Sequence, residues 1–347
     1  MKKYLDQENW PINQLFILMA TGLITLFLLK AASDIVVPFL ISIAVAIVLS
    51  PLFSYLESKR IPRSVSLVLV IMLSLLPIVV FAGYVSDEAR EFAANYQTIK
   101  MEFLKSLQSF MGYLKHFGIV LNETKINATL QQSNIADILK NLASQANNQF
   151  SNLFLIFFMV AFMLMESGYF YNKMLKIAED YDIDSQILLE LIEKIKSYFI
   201  IKVKTSLVTA LWVLAVLWYY EIPYFFLWAV LAFFLNFIPV IGSILAAIPA
   251  VVLALLDYGL MKALWITVWY LIINTTIGNI LEPRIMGKGL GLSALVIFLS
   301  MTFWGWVFGP TGMILSVPLT MILQYLFSRY RETQWIALLL SDYKKEL

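Results

Sequence analysis

Runs of about 18 to 22 consecutive apolar residues recur along the chain and set what it can fold into. A helix rises 1.5 Å per residue, so about 20 apolar residues cross a hydrocarbon core of roughly 30 Å. Ile12–Leu29, Ile35–Leu56, Ser64–Val85, Phe150–Met165, Ser206–Tyr220 and Ala263–Leu281 are such runs or close to them. Composition agrees: 61% of the 347 residues are hydrophobic and 14% charged, against about half and about a quarter in soluble domains. Mean hydropathy is +0.80. So few charges cannot cover the surface of a soluble globule, and the solvent for most of this chain is lipid.

The first run follows Lys2 and Lys3 and could pass for a signal-peptide core. It is long for that role, and no small-x-small cleavage site follows it. It reads as a retained first span.

Two further apolar stretches, Pro223–Leu256 and Ala294–Phe327, are each broken near the middle by Pro and Gly. The first breaks at Asn236-Phe-Ile-Pro239-Val-Ile-Gly242-Ser243 and the second at Gly305-Trp-Val-Phe-Gly309-Pro310-Thr-Gly312. Arms of about 16 residues make about 24 Å of helix, short for a full crossing. Both read as helical hairpins, either re-entrant or built of short full spans. Gly242-Ser-Ile-Leu-Ala-Ala-Ile-Pro249 resembles Gly312-Met-Ile-Leu-Ser-Val-Pro318. Two such hairpins opposed in the membrane and separated by one span have the layout of an inverted repeat around a transport site.

Orientation follows from Lys and Arg in the short loops. With the N-terminus inside, the cytoplasm receives Lys59, Arg60, Arg63, Lys173, Lys176, Arg284, Lys288, Arg329 and Arg331, whereas the short outer loops hold Lys30 and Lys262. Both termini are expected inside.

The predicted fold is an all-α polytopic membrane protein of six clear spans and two broken hairpins. Residues 1–85 hold the N-terminal spans and 86–149 an extramembrane helical module. Residues 150–165 form a span, 166–205 a cytoplasmic amphipathic segment, 206–328 the transport core, and 329–347 a cytoplasmic tail. In the external module Ala89, Tyr96, Phe103, Phe110 and Phe117 recur every seven residues, thickened by Phe92, Ile99, Leu107 and Leu114. That stripe marks a long amphipathic helix ended at Gly118, packed on a return helix capped near Ser133 or on a neighbouring subunit. In the inner segment Ile187, Leu188, Leu191, Ile195 and Phe199 form an apolar face flanked by Lys194, Lys196, Lys202 and Lys204, suited to an anionic leaflet or to a solvated linker.

Chemistry is narrowed by what is missing. No cysteine is present, and His116 is the one histidine, so thiolate and histidine-cluster metal sites are excluded and most hydrolase chemistry is disfavoured. A net charge of +2 does not suggest a nucleic-acid partner. Gly287-Lys-Gly-Leu-Gly291 lacks a preceding strand and phosphate-loop spacing. No cofactor, metal or catalytic residue is expected, and the chain reads as a non-enzyme.

The polar residues at membrane depth are the site candidates. Between the hairpins runs Asn274-Thr275-Thr276-Ile-Gly-Asn279-Ile-Leu-Glu282-Pro283. Thr275, Asn279 and Glu282 recur at i+4 and i+3, so one α-helical face is polar. Amides and hydroxyls there can bind a polar solute or replace the water around a small cation, and Glu282 can bind the cation or carry a proton. Against this, Glu282 beside Arg284 fits an interfacial ion pair. Asn236 upstream of Pro239 can satisfy a freed carbonyl or meet a ligand; a structural cap weighs equally. Ser243 and Asn274 are further binding candidates, and Pro239, Gly242, Gly309, Pro310 and Gly312 shape the tips and breaks. Gly305 and Gly309 form a GxxxG suited to close helix packing.

The sequence also resembles a known family in these residues. Pro239-x-x-Gly242-Ser243 with Pro249-Ala250, then Asn279-x-x-Glu282-Pro283-x-x-x-Gly287, Leu290-Gly291-Leu292, Gly305, Gly309, Gly312 and Pro318-Leu319 look like the C-terminal signature of the autoinducer-2 exporter family. These are the PerM-like permeases of bacteria. The resemblance implies an inner-membrane protein that exports a small polar solute, or exchanges sodium or lithium for protons. It also implies a homo-oligomer, with a pentamer as one form. The reading is a secondary transporter driven by a proton or sodium gradient. Its rivals are a cation/proton antiporter and, from another class, a membrane scaffold whose external helix binds a partner.

Overall fold

The computed structural model describes residues 12–116, 152–169, 173, 176–177, 185–239, 241–286, 291–329 and 331–342. Its elements are α1 (Ile12–Ala31), α2 (Ser33–Ser58), α3 (Arg63–His116), α4 (Asn152–Tyr169), α5 (Ser185–Tyr219), α6 (Phe225–Leu235), α7 (Gly242–Tyr258), α8 (Leu260–Ile273), α9 (Ala294–Arg329) and α10 (Gln334–Leu340). α8 runs on through a π-helical segment, Asn274–Leu281, into a last turn, Glu282–Met286. No strand occurs among the described residues; Leu292 and Ser341 form an isolated bridge. Among the described residues six helices are long and apolar enough to cross a membrane. The protein is an all-helical, multi-pass membrane protein.

Prolines sit inside these helices, as they do where neighbours re-satisfy the freed backbone. Pro38 lies within α2, and the buried Ser42 hydroxyl donates to its carbonyl oxygen at 2.7 Å. α2, α3 and α4 close around Phe53, Val70, Val160 and Leu164. Arg63 ties their ends, with Nε 3.4 Å from Glu57 Oε1 and a terminal nitrogen donating to the Leu164 carbonyl oxygen at 3.4 Å.

α5 is the shared element of the C-terminal half. Its 35 residues make about 52 Å of helix, longer than a bilayer core. Near its C-terminus Val213, Val216 and Leu217 pack with Ala246, Ala250 and Ile266. Near its N-terminal half Tyr198 and Phe199 pack with Leu315 and Met321. One helix therefore touches both broken stretches. No break falls at the boundary expected between residues 205 and 206, nor at 85–86, which α3 crosses.

Each broken stretch folds back. At the first, a Cβ on Gly242 would overlap the carbonyl oxygen of Leu235, so the arms α6 and α7 meet where only glycine fits. At the second, Gly309 breaks α9 with φ 64 and ψ −150. Trp304 Nε1 donates to Thr320 Oγ1 at 3.0 Å although sixteen residues separate them; a straight helix would hold them about 24 Å apart. A Cβ on Gly312 would overlap the carbonyl oxygen of Trp304. The GxxxG glycine Gly305 admits Met313 of the opposite arm: a Cβ there would stand 2.8 Å from Met313 Cγ.

The two tips have different neighbours. Trp306, beside the second tip, lies against Phe27, and Lys30 Nζ sits 3.9 Å from its ring centroid. That tip stands level with the α1–α2 turn. The first tip reaches Ser206, thirteen residues and about 20 Å from the end of α5.

The stripe that begins at Ala89 has a partner that sequence reasoning did not name. Phe92 packs edge-on against Tyr224 and Trp228, with centroids 5.5 and 5.3 Å away, and Ile99 joins the same cluster. Asn95 Nδ2 donates to Tyr224 Oη at 3.0 Å, and Glu88 Oε2 accepts from the Leu227 amide at 2.7 Å. This part of α3 clasps the start of the first hairpin. The expected return helix near Ser133 lies outside the described residues.

Candidate functional site

A polar band crosses α5 between its two apolar contacts. Lys202, Thr205, Ser206 and Thr209 fall at i, i+3, i+4 and i+7, one helix face, and all four are buried. A buried lysine needs a counter-charge. Lys202 Nζ lies 2.8 and 3.0 Å from the two carboxylate oxygens of Glu282; Thr205 Oγ1 donates to the Lys202 carbonyl oxygen at 3.2 Å and stands 3.5 Å from Glu282 Oε2. The paired side chains are 10% and 14% exposed, so water screens them little.

Four residues along, the first hairpin joins the band. Asn236 Nδ2 donates to Ser206 Oγ at 2.9 Å, from the turn that ends α6. Three buried hydroxyls on these helices make no hydrogen bond: Tyr198 Oη, Thr209 Oγ1 and Tyr270 Oη. Buried polar atoms without partners are rare in native cores. Tyr198 and Thr209 stand about 16 Å apart along α5, so the unused bonding capacity is spread along these helices.

The expected polar face divides. Glu282 turns inward to Lys202, while Thr275 and Asn279 are exposed and Asn274 is half-buried. The cause is the π winding of Asn274–Leu281. A π turn holds more residues than an α turn, so positions aligned at i, i+4 and i+7 in an α-helix drift apart. Ser243 and Pro239 are half-buried at the first break, Gly242 and Gly312 are buried, Gly309 is half-buried and Pro310 exposed.

Lys202 corrects the reading of the inner segment. It does not flank a leaflet-facing stripe; it is 8% exposed and paired across the helices. Its spacing with Thr205, Ser206 and Thr209 was a readable signal, obscured by the neighbouring lysines. Lys204, two residues on, is exposed as expected. Gly287–Leu290 and the stripe beyond His116 lie outside the described residues.

Comparison with known proteins agrees with this architecture. Residues 15–332 match the family described as AI-2E family transporter. The chain belongs to the AI-2E transporter family. It is 35% identical over 341 residues to the AI-2 transport protein TqsA of Escherichia coli K12, covering 96% of this chain and 98% of that one. It is 35% identical over 344 residues to a putative transport protein of Haemophilus influenzae, covering 97% and 98%. Against the putative transport protein YhhT of Escherichia coli K12 the identity is 29% over 304 residues, covering 88% and 87%. As an AI-2E transporter, the protein carries one half of its buried ion pair, Glu282, within the motifs of that resemblance, while Lys202 lies before them on α5.

Proposed function

We propose that this AI-2E transporter is a secondary transporter of the bacterial inner membrane. It exports a small polar solute of the autoinducer-2 type, is driven by a proton or sodium gradient, and has both termini in the cytoplasm. The reading rests chiefly on the Lys202–Glu282 pair, with Asn236 of the first hairpin bonded to Ser206 on the same face of α5. Charged groups at membrane depth are costly and mark pathways. The name of the relative TqsA, an AI-2 transport protein, supports the solute class.

The two fold-backs support an inverted repeat. α5 followed by the first hairpin and α8 followed by the second run in opposite senses, and Gly242 and Gly312 each admit a carbonyl oxygen of the preceding arm. Thr275 and Asn279, exposed on this single chain, require water or a neighbouring subunit beside them, consistent with a homo-oligomer. Exchange of sodium for protons remains the second reading, favoured by the carboxylate of Glu282 in this polar band. In the state described, however, that carboxylate is already neutralised by Lys202.

The deciding experiment is flux in proteoliposomes of purified protein under imposed proton or sodium gradients. An autoinducer-2-type solute should move against empty-liposome controls, and Glu282→Gln should reduce that flux at least tenfold. Cation exchange without solute flux would select the second reading, and no flux of either kind would overturn the transporter assignment.

A further inference from the structure

The Asn274–Leu281 segment is wound in one register and patterned for another. In the structure it is a π-helix of eight residues, and the Glu282 amide reaches the Ile277 carbonyl oxygen five residues back. π winding is rare and mostly limited to single turns, often at functional sites. The buried stripe of the same helix, Ile266, Tyr270, Ile273 and Ile277, advances by four, three and four residues. That is an α-helical repeat. Its next α-helical members are Ile280 and Leu281, yet these are 42% and 38% exposed, while Glu282 takes the inward place.

Two forces therefore oppose each other. α winding restores the commoner backbone geometry and carries Ile280 and Leu281 toward α5. π winding delivers Glu282 to Lys202, which would otherwise be a buried charge without a partner. In α winding Glu282 returns to the face of Thr275 and Asn279, as their spacing requires.

We propose that Asn274–Leu281 is a two-register switch: π when Glu282 neutralises Lys202, α when a solute bearing an anionic or strongly accepting oxygen takes Glu282's place at Lys202. This inference rests on the transporter reading for its ligand, and on the register mismatch for its mechanics. The solute class follows from the partner it must replace, since an ammonium inside a protein accepts only an oxygen-rich substitute. The released Glu282, with Thr275 and Asn279, then forms a polar face that is split in the present state.

The chain contains no cysteine, so Leu281→Cys creates a unique thiol. Its maleimide labelling rate in proteoliposomes reports the register. Adding Lys202→Met removes the demand for Glu282 and should slow labelling at least tenfold as position 281 turns toward α5. If Lys202→Met does not fold, Glu282→Gln in the same background asks the same question. Removing Gly278 places Glu282 four residues after Ile277, so α winding and the ion pair become compatible; labelling should then be slow with or without Lys202, and solute flux should fall at least tenfold. Equal labelling rates in the parent and Lys202→Met backgrounds, or undiminished flux without Gly278, would overturn the switch. A labelling contrast in a protein that moves no solute would support the switch and sink the transporter reading instead.

Discussion

Lys202 and Glu282 stand eighty residues apart in the chain, and their side chains meet at 2.8 Å with about a tenth of each exposed. Breaking a buried pair by removing one partner strands the other charge, at a cost of about 3–5 kcal/mol, whereas replacing both with apolar groups of similar volume is often nearly neutral. Lys202→Met and Glu282→Met should therefore each lower the thermal midpoint in detergent sharply. The double variant should recover most of the loss. Additive effects of the two substitutions would show that the pair is not energetically coupled.

Much of this architecture could be read from the sequence, for physical reasons that also mark where the reading stops. Apolar runs such as Ser64–Val85 declare spans because lipid tolerates little else. Pro239, Gly242, Gly309 and Gly312 declare fold-backs because backbone breaks at that depth need burial. The inward place of Glu282 was legible only as an alternative, since an i, i+4, i+7 pattern assumes 3.6 residues per turn, and the π winding of Asn274–Leu281 violates that assumption. Lys202 was misjudged because lysines 194, 196 and 204 share its neighbourhood, and composition cannot tell which of four lysines turns inward. The seat of Phe92 against Tyr224 and Trp228 lies in tertiary packing that no local pattern encodes.

Four glycines separate space from conformation. Gly242 and Gly312 have no room for a Cβ beside the Leu235 and Trp304 carbonyl oxygens, and neither has a positive φ. Gly309 has open space around it, but φ 64 with ψ −150 is a backbone region that is almost glycine-only. Gly278, within the π segment, has open space and no positive φ. Alanine at Gly242 or Gly312 should reduce the yield of folded protein severely, and at Gly309 should cost about 1–3 kcal/mol. Gly278→Ala should be neutral or stabilising by up to about 1 kcal/mol. Size-exclusion profiles and thermal midpoints of the four variants check the ranking, which fails if Gly278→Ala is as damaging as Gly242→Ala.

Glu88 caps a helix it does not belong to. Its carboxylate accepts from the Leu227 amide at 2.7 Å in the first turn of α6, where an anion also meets the positive end of the helix dipole. No α6 side chain does this work: Tyr224, at the N-cap position, makes no side-chain capping bond. Glu88→Ala should cost about 0.5–2 kcal/mol, the range for losing a cap. Amide exchange should rise at the start of α6, while α9 stays unchanged. Uniform exchange increases across both hairpins would show that Glu88 supports the fold at large and not this end.

The second hairpin is closed by one polar contact in an apolar setting. Trp304 Nε1 donates to Thr320 Oγ1 at 3.0 Å, and both residues are buried. The donor has one proton and no other use for it. Thr320→Val keeps the volume but leaves the indole N–H unpaired in the core, which costs about 1–3 kcal/mol. Thr320→Ser keeps the hydroxyl and loses one methyl group, about 0.8 kcal/mol of burial. Valine, though the closer match in shape, should therefore be the more damaging of the two. Amide exchange around Gly305–Gly312 should quicken in the valine variant and stay close to the parent's in the serine variant. The opposite order would mean that the arms are held by apolar packing across the break, such as Met313 against Gly305, with the hydrogen bond contributing little.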